Sequence, residues 1–241
     1  LFDWHDDMED SGPASVHIGA MKSLVHSLTV TGLALAGVIV MAVVSAAAQS
    51  ATPLKVVAFG DSLTAGYGLP AQDTFPARLE RALKNKGHNV EIENAGASGD
   101  TASGGLSRLD WSIQDGTDAV IVELGANDML RGVDPKVTRQ ALDDILARLK
   151  ARNIPVLLAG MRAAPNMGAE YGGAFESIFD DLAKKYDVVF YPFFLDGVAA
   201  QTTLALRDGM HPNAAGVETI VNGILPKAEE LIARVKERAP R

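Results

Sequence analysis

The sequence predicts an α/β fold in three layers, with helices on both faces of a central parallel sheet of about five strands, and three features carry that expectation. Apolar runs of strand length alternate with longer segments of helical period from residue 54 onward. Runs such as "AVIVEL" have almost no polar interruption, the pattern of a strand buried on both faces. Glycine, proline and small polar residues gather where the runs end, in "GDSLTAGYGLP", "GASGDTASGG", "GANDMLRG" and "DGMHPNAAG".

Residues 55–59 are the first strand candidate, and helical period covers residues 75–86. Strand and helix then alternate through 90–94 and 104–113, 119–124 and 135–151, and 155–160 and 172–185. A last strand at 188–193 precedes a helical stretch from 213 to 237, expected to break near Asn222-Gly223 and restart at Pro226. The segment from Pro135 shows the logic. Val137, Leu142, Ile145, Leu146 and Leu149 repeat at three and four residues, while Lys136, Arg139, Asp143, Arg148 and Lys150 occupy the other face. Such alternation requires right-handed crossovers between parallel neighbours. Open parallel sheets bind ligands at the carboxyl ends of their strands, so the four glycine-rich loops are expected along one edge.

Composition narrows the function classes. With 47% hydrophobic and 22% charged residues the chain has the balance of a globular domain and not of a disordered one. The net charge is −8 and Lys and Arg do not cluster, which removes the electrostatic footprint of a nucleic-acid binder. The absence of cysteine removes disulfides, thiolate catalysis, Cys-ligated zinc and a lipidated cysteine together. There is no internal repeat, low-complexity tract or interdomain linker.

Residues 21–48 carry Met21, Lys22, a long apolar stretch and then Ala46 and Ala48 in an A-x-A arrangement, and they read as a secretory signal cut before Gln49. Residues 1–20 hold five acids and no Lys or Arg, the wrong charge ahead of a signal core. They are expected to be a non-native or upstream-translated extension, with the natural start at Met21. The alternative is a retained membrane anchor, since the apolar stretch approaches the length that spans a bilayer. A buried core helix at 28–48 is disfavoured because no amphipathic segment pairs with it. The remaining domain, 49–241, has 25 acids and 21 bases after the five acids and Lys22 are removed, a net of −4. Its expected location is periplasmic or secreted.

Each loop delivers chemistry to the common edge. The first brings Asp61 and Ser62, the second Ser98 and Gly99, the third Asn127 and Asp128, and the last Asp208 and His211. Acyl transfer to serine needs such a set: a hydroxyl, an imidazole to take its proton, a carboxylate to hold the imidazole, and donors for the oxyanion. Of five histidines, His5, His17 and His26 fall in the leader. His88 precedes a strand and so belongs to the opposite edge, which leaves His211 as the base with Asp208 three residues before it. Taken singly, "GDS" reads equally as a turn, "DGMHPN" as a helix start and "GAND" as the Asx turn closing a strand. Their joint occurrence in this order favours chemistry.

The blocks "FGDSLTAGYG", "NAGASGDTASGGLSRL", "VELGANDMLRG" and "DGMHPNAAG" resemble the four conserved blocks of the SGNH, or GDSL, hydrolase superfamily. Within it they look like the branch of bacterial thioesterase I, arylesterases and lysophospholipase-like enzymes, from about Leu54 to the C-terminus. The resemblance implies a flavodoxin-like SGNH hydrolase fold and a serine esterase acting on acyl esters, aryl esters and thioesters, with acyl-CoA or lysophospholipid among the candidates. By position it places the nucleophile on Ser62, the acid and base on Asp208 and His211, and the oxyanion donors on the Ser62 and Gly99 backbone N–H groups and the Asn127 amide. "GAND" departs from the relatives' commoner "GGND", and Ala126 is compact enough to leave the role of Asn127 intact.

There is no G-x-S-x-G elbow, no S-x-x-K and no P-loop. Two alternatives stand beside the esterase: a magnesium-dependent phosphoryl-transfer protein with Asp61 and Asp128 as metal ligands, and a non-catalytic secreted binding module. The esterase reading needs no cofactor or metal. Its partner is a small acyl ester or thioester, with no nucleic acid, no stable membrane insertion after signal removal, and a monomeric state. Leu63, Tyr67, Leu69, Met129, Leu130, Met167, Phe194 and Met210 form an apolar set suited to an acyl chain, unless several are simply core. Leu63, Met129, Leu130 and Met210 are the foremost substrate-binding candidates. The loop 129–134, with Gly132 as its flexible point, is expected to fold over the chain.

Overall fold

The computed structural model describes residues 52–238. The expected extension and signal segment lie outside the described residues. The elements run β1 (Leu54–Gly60), α1 (Ser62–Ala65), α2 (Phe75–Asn85), β2 (Val90–Gly96), α3 (Ala102–Ser112), β3 (Ala119–Glu123), α4 (Ala126–Leu130), α5 (Pro135–Ala151), β4 (Val156–Ala159), α6 (Ala169–Tyr186), β5 (Val189–Tyr191) and α7 (Ala214–Lys236). The strands form one parallel sheet in the order β2-β1-β3-β4-β5. The fold is therefore the α/β class with a five-stranded parallel sheet.

β1 is shared between two partners: Phe59 pairs with Ala95 of β2 on one side and with Val122 of β3 on the other. The chain leaves β1 in one direction to build β2, then crosses back to lay β3 against the free side. Strand order reverses there, and a crevice opens outside the carboxyl ends of β1 and β3. Ser62 follows β1 and Asn127 follows β3, so both reach that crevice by topology alone.

Burial explains why the strands are so apolar. All five residues of β3 and all four of β4 are buried, whereas edge strand β2 exposes Glu91 and Glu93, charges that discourage further strand pairing. Phe59, Phe75, Phe175, Phe179 and Phe194 lie fully inside. Each such side chain contributes about 1.5–3 kcal/mol relative to exposure. Helix α2 packs against α7, and α3, α5 and α6 pack in succession, which gives the sheet its helical layers.

Helix α5 is built as its period implies, with Pro135 in the first turn, the Asp134 carboxylate accepting from Lys136 N–H, and Arg148 and Lys150 in the last turn. One expectation fails in it. Val137 is 48% exposed, and the buried position in that turn is Thr138, whose hydroxyl donates to the Asp128 carboxylate at 2.9 Å.

The C-terminal helix also departs from expectation, because α7 runs unbroken from Ala214 to Lys236 with Pro226 inside it. Pro226 deprives the Asn222 carbonyl of its helical donor. Burial of Ile220, Val221 and Ile224 before it, and of Ala228, Leu231 and Ile232 after it, holds both halves on one surface. Gly223 serves packing there: a Cβ would sit 2.5 Å from the Tyr191 hydroxyl. The short helices α1 and α4 carry no readable period, and the sequence reading gave no element at either place. Met129 and Leu130 consequently belong to α4 and not to a loop, and only residues 131–134 link α4 to α5.

At the end of β1, Gly60 has no room for a side chain. A Cβ would fall 2.1 Å from Thr64 Oγ1, 2.5 Å from the Glu123 carbonyl and 2.7 Å from Glu123 Oε2. The backbone carbonyl cannot move without disturbing β3. Gly60→Ala should therefore destabilise the protein by about 3 kcal/mol or more, or prevent folding. Gly173→Ala, in the exposed face of α6 with nothing near its Cβ, should be neutral or stabilise by about 0.5–1 kcal/mol. Denaturant midpoints of the two variants check this contrast, and a harmless Gly60→Ala would contradict it.

Candidate active site

Ser62 opens α1 directly after the turn at Gly60 and Asp61. Asp61 is the N-cap: its Oδ1 accepts from Leu63 N–H at 3.0 Å, and its carbonyl accepts from Ala65 N–H at 2.9 Å. Beneath this turn the Arg108 guanidinium donates to the Gly60 carbonyl (2.8 Å), the Ala95 carbonyl (2.9 Å), Asp100 Oδ2 (2.6 Å) and Ser112 Oγ (3.0 Å), and lies over the Phe59 ring. One cation thus fixes the ends of β1 and β2 against α3.

The last block folds as a tight turn on one carboxylate. Asp208 Oδ1 accepts from Met210 N–H at 2.9 Å and from His211 N–H at 3.0 Å, and Oδ2 lies 2.7 Å from His211 Nδ1. The His211 and Met210 backbone donors, with the imidazole, hold Asp208 down at about 2. An acceptor-only group at Nδ1 requires the Nδ1–H tautomer and leaves the Nε2 lone pair outward. Nε2 lies 2.9 Å from Ser62 Oγ. The Tyr67 ring covers the imidazole, with centroids 4.4 Å apart. Asn213 then caps α7, accepting from Ala215 and Gly216 N–H and donating to the Thr203 and Ala205 carbonyls.

The candidate oxyanion donors come from three elements. Gly99 has φ +87°, a conformation that side-chain-bearing residues rarely adopt, and it lines the cavity beside Ser62. Its carbonyl accepts from Arg131 Nη2 at 2.7 Å. Asn127 Nδ2 donates to Asp61 Oδ2 at 3.0 Å. Asp128, fully buried, accepts from Ala102 N–H at 2.8 Å and from the Thr138 hydroxyl at 2.9 Å, so it ties α3, α4 and α5 together.

Two buried carboxyl groups lie under Ser62. Burial pushes Asp61 up to about 6 even though Leu63 N–H and Asn127 pull the other way. Glu123, bonded to the Thr64 hydroxyl at 2.7 Å, is pushed well above the usual carboxylate range by burial and then by the charge of Asp61. Both carboxyls are therefore shifted in the same direction, by burial first.

A cavity of about 730 Å³ joins these groups. Ser62, Gly99, Asn127 and His211 line it, together with Leu63, Met129, Leu130 and Met210. That volume lies within the range of small-molecule sites. Tyr67 also reaches it, but Leu69, Met167 and Phe194 do not. Phe194 is core, edge-on to Phe75 at 4.9 Å. The sequence reading missed the wall contributed after β4 by Met161 and Ala163 and after β5 by Phe193 and Leu195. For Met161, Ala163 and Leu195 the position past an expected strand end was the available signal, whereas Phe193 was expected within the strand that ends at Tyr191.

His88 sits away from the cavity, its Nε2 3.3 Å from Glu229 Oε1. Asp61 and Asp128, the metal ligands of the alternative reading, each spend both oxygens on protein donors and do not converge. Among the described residues no group of three His, Cys, Asp or Glu side chains is placed to hold a metal.

Residues 58–218 match the GDSL-like lipase/acylhydrolase family. The chain is 37% identical to an arylesterase of Vibrio mimicus over 78% of its own length and 92% of that protein. It is 36% identical to thioesterase 1/protease 1/lysophospholipase L1 of Escherichia coli (strain K12) over 76% and 88%. Among solved structures, AlinE4, an SGNH-hydrolase family esterase, superposes with a TM-score of 0.64 at 45% identity, covering 79% of this chain and all of that one.

The position of Asp61 carries a stability prediction. Its folded value near 6 exceeds the ordinary 3.8, so its protonation favours the native state below about pH 4, and this contribution is lost as pH rises through 6. Asp61→Asn removes the titration. The melting temperature of the parent relative to the variant should therefore fall between pH 4 and pH 7 in paired scans. A difference that climbs over that interval would contradict the burial argument.

Proposed function

The chain belongs to the GDSL-like lipase/acylhydrolase family and is an ester-bond hydrolase, and we propose that it works through an acyl-enzyme on Ser62. The observation that carries the proposal is the contact chain from Asp208 through His211 to Ser62 Oγ, 2.7 Å and then 2.9 Å, at the wall of an apolar cavity. His211 Nε2 takes the hydroxyl proton as Oγ attacks the carbonyl carbon, and Asp208 stabilises the imidazolium without itself being protonated. The Ser62 and Gly99 N–H groups and the Asn127 amide receive the charge on the carbonyl oxygen. His211 then returns the proton to the departing alcohol, phenol or thiol, and water repeats the sequence to free the acid.

Leu63, Met129, Leu130 and Met210 receive the acyl chain. Leu130 and Met210 stand about half exposed at the mouth, where longer chains would cover them. The substrates are small acyl and aryl esters and thioesters, and the working form is a monomer in the periplasm or outside the cell. The signal-like stretch at 21–48, with Ala46 and Ala48 before Gln49, supports that location. The experiment for location is mass spectrometry of exported protein, expected to find Gln49 at or near the mature N-terminus.

Ser62→Ala should abolish both ester hydrolysis and labelling by a fluorophosphonate probe with the melting temperature preserved, and persistent labelling would move the nucleophile elsewhere. His211→Ala should be nearly as severe, whereas His88→Ala, far from the cavity, should stay close to the parent. Asn127→Ala should lower kcat by about 10²- to 10³-fold with little change in KM. Leu130→Ser should slow long acyl esters about tenfold and spare acetyl esters, since each buried CH₂ contributes about 0.8 kcal/mol. A uniform loss across chain lengths would return α4 to a structural role.

A further inference from the structure

Asp61 is fully buried and takes no part in the proton transfers above, yet it touches two parts of the site at once. One oxygen holds the Leu63 N–H of the helix that Ser62 opens, and the other holds the Asn127 amide. We propose that Asp61 is a positioning residue that fixes the orientation of the Asn127 amide, so that its nitrogen and not its oxygen serves the oxyanion site. The proposal rests on the reading of Ser62 as nucleophile and Asn127 as oxyanion donor.

An asparagine amide is nearly symmetric in shape, and rotation by half a turn exchanges a donor for an acceptor. An inverted Asn127 would set a carbonyl oxygen against the developing oxyanion, so an unguided side chain would lose the donor and add a repulsion. A carboxylate accepts only, and it can be satisfied by the NH₂ end alone. With one amide hydrogen committed to Asp61 Oδ2 at 3.0 Å, the second is left for the cavity that Asn127 lines.

Asp61 cannot drift in turn. Its Oδ1 is pinned to the first turn of α1, Thr64 of that helix bonds Glu123, and Arg108 grips the Gly60 carbonyl just before it. Two of the three oxyanion donors, Ser62 N–H and the Asn127 amide, are thereby held in register by one side chain. Burial strengthens the device, because in a low dielectric the contact resists competition from water.

Two substitutions separate this role from capping. Asp61→Asn keeps the shape but offers one acceptor where two donors converge, so one contact must be lost. Asp61→Ser keeps an N-cap acceptor for Leu63 N–H and is too short to reach Asn127. Each is measured alone and combined with Asn127→Ala, using a small neutral nitrophenyl ester at a temperature well below every melting point. Each Asp61 variant alone should lose about 10- to 100-fold in kcat with KM within about twofold, part of the 10²–10³ due to the donor itself. In the Asn127→Ala background the same change should cost less than about threefold, because the group it orients is gone. Full additivity of the losses, or undiminished kcat in Asp61→Ser, would overturn the proposal. Activity surviving in Ser62→Ala would instead overturn the underlying reading of the site, so the two failures are distinguishable.

Discussion

The structure depends on how the polar groups at the carboxyl ends of β1 and β3 are satisfied once the sheet ladder stops. Gly60 lets the two strand ends approach until only hydrogen fits between Gly60 Cα and Glu123. Around that contact the protein places partners: Arg108 for the Gly60 carbonyl and the Ala95 carbonyl of neighbouring β2, Thr64 for Oε2 of Glu123, and Asp128 for the Ala102 N–H that opens α3. Each is buried or half-buried, so breaking any one leaves a polar group stranded at a cost of about 1–3 kcal/mol. These bonds hold the segments from which Ser62 and Asn127 enter the cavity, and Arg131 holds the Gly99 carbonyl.

The site also shows how environment divides labour among acids. Asp208 lies near solvent and receives two backbone donors and the imidazole, which holds it far below neutrality and permanently charged. Asp61 is enclosed and pushed the other way, and Glu123 below it further still. In the proposed mechanism Asp208 must stay charged, and it sits where water and donors support that charge. Burial raises both members of the enclosed pair, which disfavours charge on them and so limits the cost of enclosing two carboxyl groups beside Ser62.

Much of this was legible in the sequence, for identifiable reasons. Each motif follows an apolar run, so sheet topology alone brings Ser62, Gly99, Asn127 and His211 to one cavity although Ser62 and His211 are 149 residues apart. What stayed hidden depends on tertiary contact. Arg108 reads as one more charge on a helix, and nothing in its neighbours announces that it faces inward onto two carbonyls. Pro226 and Gly223 are honest breakers in isolation, and only burial on both sides of them keeps α7 whole. Phe194 and Phe193 are adjacent in the chain, yet one fills the core and the other the cavity wall. The β5 run ends too soon for alternation to say which.

The anchoring of His211 differs in kind from that of much of the cavity wall. The turn that bears the imidazole runs into a 23-residue helix through the Asn213 cap and is pinned by the Ala205–Pro212 bridge. Part of the cavity wall rests on a five-residue helix, on a loop after β4 and on another after β5, while Leu63 and Met210 belong to the turns that carry Ser62 and His211. Substitutions after β4 and β5 can therefore reshape the cavity without touching the turn that holds Asp208 and His211, whereas substitutions at Leu63 or Met210 fall within the turns that carry Ser62 and His211. Cavity shape and the geometry of the turns bearing Ser62 and Asp208–His211 are thus separable after β4 and β5 and coupled at Leu63 and Met210.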